Sequence, residues 1–297
     1  MATYNDKSCI TSLGNTGLSN CLDNLGADVR LLYTLDSFEI ATYADSILAA
    51  TYETAINAKQ MFPFPIFDII EPTSEDDVIQ ETTLGAKLFV REGKYSGTGS
   101  FELAICNLMK LRTFNEAKGR AFLITNDGQI FGTSPDGVKF KGFKLSEFHV
   151  SGIKGTDGAT KRMIDLRYQF KTPAEMNDYG AVPTLDWDPL ELAGLIDVDM
   201  AESGVSTTGL VVAQVLRDCD NEPVTGLVVG DFTILASDGT TEMLPGDGFT
   251  DNADGTYSFV FTTPVLDADT YTVNLKTAAN QTTGGYESNA VFSFTIT

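Results

Sequence analysis

Short runs of alternating apolar and polar residues dominate the last third of the chain. Alternation with period two is typical of strands that bury one face, and turn residues such as Asp238-Gly239 separate the runs. The runs lie at 210–216, 232–235, 257–261, 271–275 and 290–296. They predict an antiparallel sandwich whose core is formed by Val211, Val215, Phe232, Ile234, Tyr257, Phe259, Phe261, Tyr271, Val273, Phe292, Phe294 and Ile296.

The first two thirds of the chain combine helical and strand patterns. Residues 38–60 carry apolar side chains at three- and four-residue steps, which predicts an amphipathic helix that ends at Pro63. Residues 100–115 predict a second helix, and the acidic stretch 71–81 predicts a loop.

Three further strands are predicted at 121–125, 129–133 and 163–170, with a long alternating run at 138–153. Asn126-Asp127-Gly128 between the first two is a hairpin signal. The chain is therefore predicted to be mainly β, with an α+β N-terminal domain.

A change in composition marks a domain boundary near residue 205. Residues 206–297 contain twelve acids and two bases, whereas the first 205 residues hold the other 29 acids and 18 bases. The stretch 201–209 is small and polar, which is typical of a linker. The sequence predicts one domain over 1–205 and a second, independently folding one over 206–297.

The net charge of −21 argues against two function classes. Nucleic-acid binding and anchoring on an anionic membrane both need clustered Lys and Arg. The sequence shows no apolar run long enough for a membrane-spanning helix and no basic-then-apolar start typical of a secretory signal. We therefore expect synthesis in a cytoplasm, without membrane contact.

The residues that carry most enzyme chemistry are scarce. His149 is the single histidine, and it is predicted to lie on the polar face of a strand. Cys9, Cys21, Cys106 and Cys219 lack metal-ligand spacing, so free and mostly buried thiols are expected, with a Cys9–Cys21 bridge as the alternative. Cys106 in particular is predicted to be a packing residue.

Three other segments were weighed as binding sites. The glycine-rich stretch 96–100 is interpreted as a flexible loop rather than an anion site. Acids within 247–255 are interpreted as turn residues rather than calcium ligands, and Trp187 as a packing residue rather than a carbohydrate platform. The sequence predicts no catalytic, cofactor-binding or metal-binding residues, no cofactor, and no enzyme.

Two pairs of segments resemble known classes of protein. Asp254-Gly255-Thr256-Tyr257 and Asp269-Thr270-Tyr271-Thr272 resemble the paired strands of bacterial and phage Ig-like domains. Residues 81–95, with Val90-Arg91-Glu92-Gly93-Lys94-Tyr95, and residues 124–145, with Thr125-Asn126-Asp127-Gly128, resemble virion structural proteins of phages from Bacteroidetes-type bacteria.

The order of strand, long hairpin, helix and strands also resembles the major tail tube proteins of long-tailed phages, although the helix at 38–60 is not part of that pattern. The resemblance implies a tail-tube-like β-sandwich with flanking helices, joined to an Ig-like domain. It implies a non-enzymatic subunit that forms homo-oligomeric rings in a virion, contacts other virion proteins and lets DNA pass without specific binding.

Two alternatives remain open. One is a capsid decoration or adhesion protein that binds glycans or a host surface through the Ig-like domain. The other is a small enzyme with an Ig-like accessory domain. On the tube interpretation, the acidic and glycine-containing segment 71–99 is expected to become ordered only on assembly.

Overall fold

The structure is a computed structural model that describes residues 26–83, 85–102, 104–153, 162–204, 207, 209–243, 248–261, 270–288 and 292–295. Strands hold 42% of the residues and helical segments 15%, so the predicted mainly β fold class is confirmed. The chain divides into two compact units, Met1–Leu192 and Ala193–Thr297. No helix in these described ranges has the length and apolarity needed to cross a bilayer.

The N-terminal unit contains eleven described strands and four described α-helices. The strands are β1 (Asp28–Leu35), β2 (Met61–Pro63), β3 (Ile69–Pro72), β4 (Val78–Glu81), β5 (Lys87–Arg91), β6 (Ser96–Phe101), β7 (Gly119–Thr125), β8 (Ile130–Thr133), β9 (Phe143–Val150), β10 (Ile164–Phe170) and β11 (Gly180–Ala181). The helices are α1 (Tyr43–Ser46), α2 (Ala49–Asn57), α3 (Ile105–Leu111) and α4 (Pro173–Asn177).

Strand β7 is the branch point of a nine-stranded sheet. One edge of β7 pairs with β1 along its whole length, and β1 also pairs with β2. The other edge is divided between β9, which pairs near Arg120, and β8, which pairs near Ile124. From β9 the sheet continues through β10 and β6 to its edge strand β3. All of these pairings are antiparallel.

Both faces of β1 and β7 are buried. Leu31 and Leu123 belong to an aromatic-rich core, whereas their neighbours Leu32 and Phe122 point to the opposite face and are also fully buried. Within the first core, Phe64 lies edge-on to both Phe114 and Phe148. Because both faces of β1 and β7 are buried, their sequences show continuous apolar runs rather than alternation of apolar and polar residues.

One glycine-rich segment that was predicted to be a loop is a strand. The segment 96–100 is not a flexible loop but most of β6, paired with β10 and β3. A Cβ on Gly97 would lie 2.6 Å from the Tyr168 hydroxyl, and one on Gly99 would lie 2.4 Å from the Phe67 ring. The glycines are needed because aromatic rings cover the strand, so their presence does not indicate flexibility.

Two neighbouring predictions need similar correction. The predicted helix 100–115 begins only at Ile105, because Phe101 still belongs to β6, and a 3-10 turn replaces it after Leu111. The predicted loop 71–81 contains the end of β3 and all of β4. The predicted helix at 38–60 is correct in type but not in extent, because the extended Leu48 separates two short helices, α1 and α2. The Asn126-Asp127-Gly128 hairpin joins β7 to β8, as predicted.

The C-terminal unit is a two-sheet sandwich. Its strands are β12 (Ile196–Glu202), β13 (Leu210–Arg217), β14 (Phe232–Leu235), β15 (Gly248–Asp251), β16 (Thr256–Val260), β17 (Thr270–Leu275), β18 (Tyr286–Glu287) and β19 (Phe292–Thr295). One sheet has the order β15-β16-β13-β12-β18 and the other β14-β17-β19. Their pairings are antiparallel except for the parallel contact between β12 and β18.

The predicted core of this unit is confirmed wherever it is described. Ten of the twelve predicted core residues are buried in one cluster shared by both sheets, and the side chains of the other two, Phe294 and Ile296, lie outside the described residues. Alternation predicted the core because each sheet buries a single face.

The boundary between the units differs from the predicted position at residue 205. The C-terminal unit begins at Ala193, because β12 pairs antiparallel with β13, opposing Glu202 to Ala213. The small polar stretch 201–209 therefore ends a strand and joins two strands of one sheet. Hairpin connections and linkers favour the same residue types, so composition did not separate them.

Candidate assembly surface

A two-stranded hairpin extends the ladder formed by β3 and β6. We call residues 78–91, which form β4, β5 and their connection, the arm. In the described chain, β4 and β5 pair with each other and with no third strand. Thr82 and Ala86 close the turn through a backbone hydrogen bond of 2.8 Å, with Gly85 at a φ of +81°. The arm continues a ladder whose other end lies in the main sheet.

Both strands of the arm are exposed although they are rich in apolar residues. Every described residue of β4 and β5 is exposed, and the Ile79 and Phe89 side chains, which oppose each other across the two strands, are 57% and 62% exposed. Leu88 and Val90 point to the other face and are exposed as well. A two-stranded hairpin with apolar side chains on both faces is marginal alone in water.

Polar contacts anchor the arm where it leaves the sheet. The Arg91 guanidinium donates to a Glu75 carboxylate oxygen at 2.9 Å, and the Gly93 amide donates to Asp77 at 2.9 Å. A Cβ on Gly93 would lie 1.9 Å from the Glu75 carbonyl oxygen, so the two chain segments meet closely there. The root of the arm is therefore held by hydrogen bonds, whereas the strands β4 and β5 beyond it are exposed.

A half-buried acid, Asp28, lies beside the same root. The Tyr95 hydroxyl donates to the Asp28 carboxylate, and its ring stacks on Phe170. Burial raises the pKa of the Tyr95 hydroxyl, and the nearby Asp28 carboxylate raises it further. Burial also raises the pKa of Asp28, against the hydrogen bond from Tyr95. The pair orients Tyr95, the residue that joins the arm to β6.

A second set of exposed apolar side chains lies on α3, which follows β6 in the chain. Ile105 and Met109 are one turn apart on α3 and are 63% and 69% exposed, whereas Leu108 of the same helix is buried. The Glu102 amide donates to Asp68 at 3.1 Å, which ties the start of α3 to the segment before β3.

The exposed apolar surface of the arm was not predicted from the sequence. The acidic stretch 71–81, which contains β4, was expected to be a loop, so a two-stranded hairpin was not predicted. The signal was present in Leu88-Phe89-Val90, where three consecutive apolar residues offer an apolar side chain to both faces of an otherwise charged segment.

The structure places two candidate residues where the sequence predicted them. His149 lies exposed on β9, between the buried Phe148 and Val150. Trp187 is half-buried, packs against Tyr52 with ring centroids 5.3 Å apart, and donates its indole N–H to the Ile47 carbonyl at 2.8 Å. The glycine-rich stretch 96–100, being a buried strand, offers no anion loop.

The described acids of the stretch 247–255 hold turns, as the sequence predicted. Asp251 accepts from the amides of Ala253 and Gly226, and Asp254 accepts from the amide and hydroxyl of Thr256. Asp247, the remaining acid of that stretch, lies outside the described residues. These contacts explain the spacing as turn chemistry.

The prediction of free thiols is wrong for the two described cysteines. Cys106 and Cys219 are both half-buried and disulfide-bonded, so Cys106 is not a simple packing residue. Spacing in the sequence did not reveal this, because residues that pair in a fold need not be near in the chain. Cys9 and Cys21 lie outside the described residues.

No protein-family model matches this chain, and no curated protein matches its sequence. Function has to be inferred from the surfaces and contacts described above.

Proposed function

We propose that this chain is a non-enzymatic structural subunit of a phage particle that assembles with copies of itself, and specifically that it is a major tail tube protein. The observation that carries the proposal is the arm, an anchored hairpin whose apolar side chains are exposed on both faces. Such a surface is stabilised when another molecule covers it.

The sheet supports the same proposal. It is open, with β3 and β11 at the ends of its path, so copies can add strand to strand and build a ring. The net charge of −21 suits a conduit, because negative walls repel phosphates and let DNA pass without binding. On this proposal the protein assembles in a bacterial cytoplasm and works in the virion, beside other virion proteins.

Electron microscopy of the concentrated full-length protein tests the proposal. We expect rings or tubes, and we expect the double substitution Ile79→Thr with Phe89→Glu to abolish them, because it removes the apolar pair and places a charge on the arm. Threonine keeps the strand propensity of β4, so the hairpin itself is preserved.

The matched control is the exposed apolar Val138, which is remote from the arm in sequence and 48% exposed. Val138→Glu is expected to leave rings and tubes unchanged. Strictly monomeric wild-type protein at every concentration, including with other virion proteins present, would contradict the proposed function.

A further inference from the structure

Strand β9 has an open edge beside the loop that precedes β7. Within the described chain, β7 pairs with β9 only through Arg120–Lys144 and Ala121–Phe143, so this ladder ends where β9 continues. On its other edge β9 stays paired with β10 to its last residue. Residues 145–150 therefore have one paired edge and one edge that no described strand covers.

Asn115 shows what kind of group this edge binds. Its side-chain amide donates to the Val150 carbonyl at 3.1 Å and accepts from the Val150 amide at 2.7 Å. A neighbouring strand would make the same pair of bonds with its own backbone. At one end, the open edge therefore already pairs with an amide as it would with a strand.

Phe148 is the next residue whose main chain faces this edge. The Ser151 amide donates to the Asp165 carbonyl at 2.8 Å, and bonding alternates along an antiparallel pair, so His149 and Glu147 also bond to β10. The N–H and C=O of Phe148 point the other way. No strand or side chain of the described chain pairs with them there.

A cleft of about 350 Å³ lies along the open edge. It is lined by residues 116–118 of the loop and residues 145–149 of β9. The Leu145 and Phe148 side chains belong to the aromatic-rich core, so the cleft borders apolar groups on one face. Its volume is within the range of ligand pockets in proteins.

The backbone of the loop is strained beside the cleft. Glu116 has a φ of 65°, in the left-handed region, which is costly for a residue with a side chain. The loop contacts β9 at Asn115 and pairs with it again from Arg120, and the cleft occupies the interval between them. Strain of this kind is concentrated at binding and switch sites.

We infer that this cleft binds an extended segment of another protein, which adds one short strand to the open edge of β9. The inference goes beyond the proposed function, because the cleft is a second binding surface that does not include the arm. Unpaired main-chain groups at a strand edge are matched by the backbone of an extended peptide.

The surroundings of the cleft specify the side chains of that peptide. Because successive side chains of a strand point to opposite faces, those on the core side meet Leu145 and Phe148 and should be apolar. On the exposed side, Glu116 and Glu147 stand against Lys118 alone, which favours lysine. The expected ligand alternates apolar residues with lysine.

Peptide binding to the dilute full-length protein tests the inference. The probe is the pentapeptide fluoresceinyl-Val-Lys-Val-Lys-Val-amide, followed by fluorescence anisotropy. Its control carries N-methyl groups on the backbone amides and cannot donate to the Phe148 carbonyl. We expect the control to bind more weakly by about tenfold or more. Equal binding of the two peptides, or binding of neither, would overturn the inference.

Variants of the protein locate the binding. Ala117→Trp fills the cleft and is expected to abolish binding, and Glu147→Lys is expected to weaken binding of the lysine peptide. The matched charge reversal Glu53→Lys, at an exposed residue of α2, should bind like the wild type. Circular dichroism checks that each variant is folded. Unchanged binding by folded Ala117→Trp and by Glu147→Lys would overturn the site.

Hydrogen exchange resolved by residue tests the open edge directly. In the free protein the Phe148 amide should exchange faster than those of Glu147 and His149, which bond to β10, and the peptide should slow it. Equal protection of all three amides in the free protein would overturn the inference. None of these readouts needs assembly, so their failure would leave the proposed function in place.

Discussion

Phe64→Ala is expected to lower the free energy of unfolding of the N-terminal unit by about 3–5 kcal/mol. Phe64 is 1% exposed and packs edge-on against Phe114 and Phe148, with centroids 5.3 and 5.1 Å away. Truncation leaves a cavity that these two rings do not fill, because Phe148 also packs against Tyr33 and Phe114 also packs against Phe62.

Trp187 provides the probe for this measurement. It is the single tryptophan and lies in the N-terminal unit, so its fluorescence during denaturant unfolding reports that unit. The matched control is Ile66→Ala, two residues away and 50% exposed, for which we expect a change within about 0.5 kcal/mol. Equal effects of the two substitutions would contradict the assignment of Phe64 to the core.

Asp231→Ala is expected to destabilise the C-terminal unit by about 3 kcal/mol. Asp231 is fully buried, and its carboxylate accepts from the amides of Val228, Thr282 and Thr283 and from the Thr283 hydroxyl at 2.6 Å. These bonds join a turn before β14 to the loop before β18. Removing the acceptor leaves several donors unpaired in a buried site, which is costly.

The same carboxylate gives the unit a dependence on pH. Burial alone would raise the pKa of Asp231, but the hydrogen bonds from Thr283, Val228 and Thr282 outweigh it and hold the pKa below its ordinary value. Because the pKa in the folded state is depressed, the stabilisation is present at neutral pH. It begins to be lost below about pH 4, as the pH falls through the folded-state pKa.

Hydrogen exchange in the full chain measures both effects. Peptides from β13 and β17 are expected to exchange faster in Asp231→Ala than in the wild type at pH 7. The control is the exposed Asp220, which accepts from the amide of Glu222 and lies 3.8 Å from the Arg217 guanidinium. Asp220→Ala should leave the exchange of these peptides unchanged. Unchanged exchange in Asp231→Ala would show that the carboxylate is not needed for stability.

The sequence predicted the C-terminal unit better than the N-terminal one, for a physical reason. Each sheet of the sandwich buries one face, so period-two alternation identified β13, β14, β16 and β17 and their core. Strand β12 was missed although Ile196–Glu202 begins with the same alternation, because its last residues and the small polar residues after them resemble a linker.

Prediction failed in the N-terminal unit where burial did not follow the strand period. Strand β1 buries both faces and β4 buries neither, so alternation carries no information in either case. Strand β7 also buries both faces but was predicted at 121–125, beside the hairpin signal. In β6, Gly97 and Gly99 leave room for the rings of Tyr168 and Phe67, which come from distant parts of the chain. The sequence around β6 therefore does not show why glycine is needed there. The disulfides of Cys106 and Cys219 likewise depend on the fold.

On our proposal, the arm is the surface through which copies of this chain assemble. Hydrogen exchange measured by mass spectrometry on the full chain, dilute and then assembled, tests it most directly. We predict that amides in Val78–Glu81 and Lys87–Arg91 exchange rapidly in the dilute protein and become protected on assembly, while those of the buried strand Ser96–Phe101 are protected in both states. Arm amides that exchange as fast in assembled particles as in the free subunit would contradict the account.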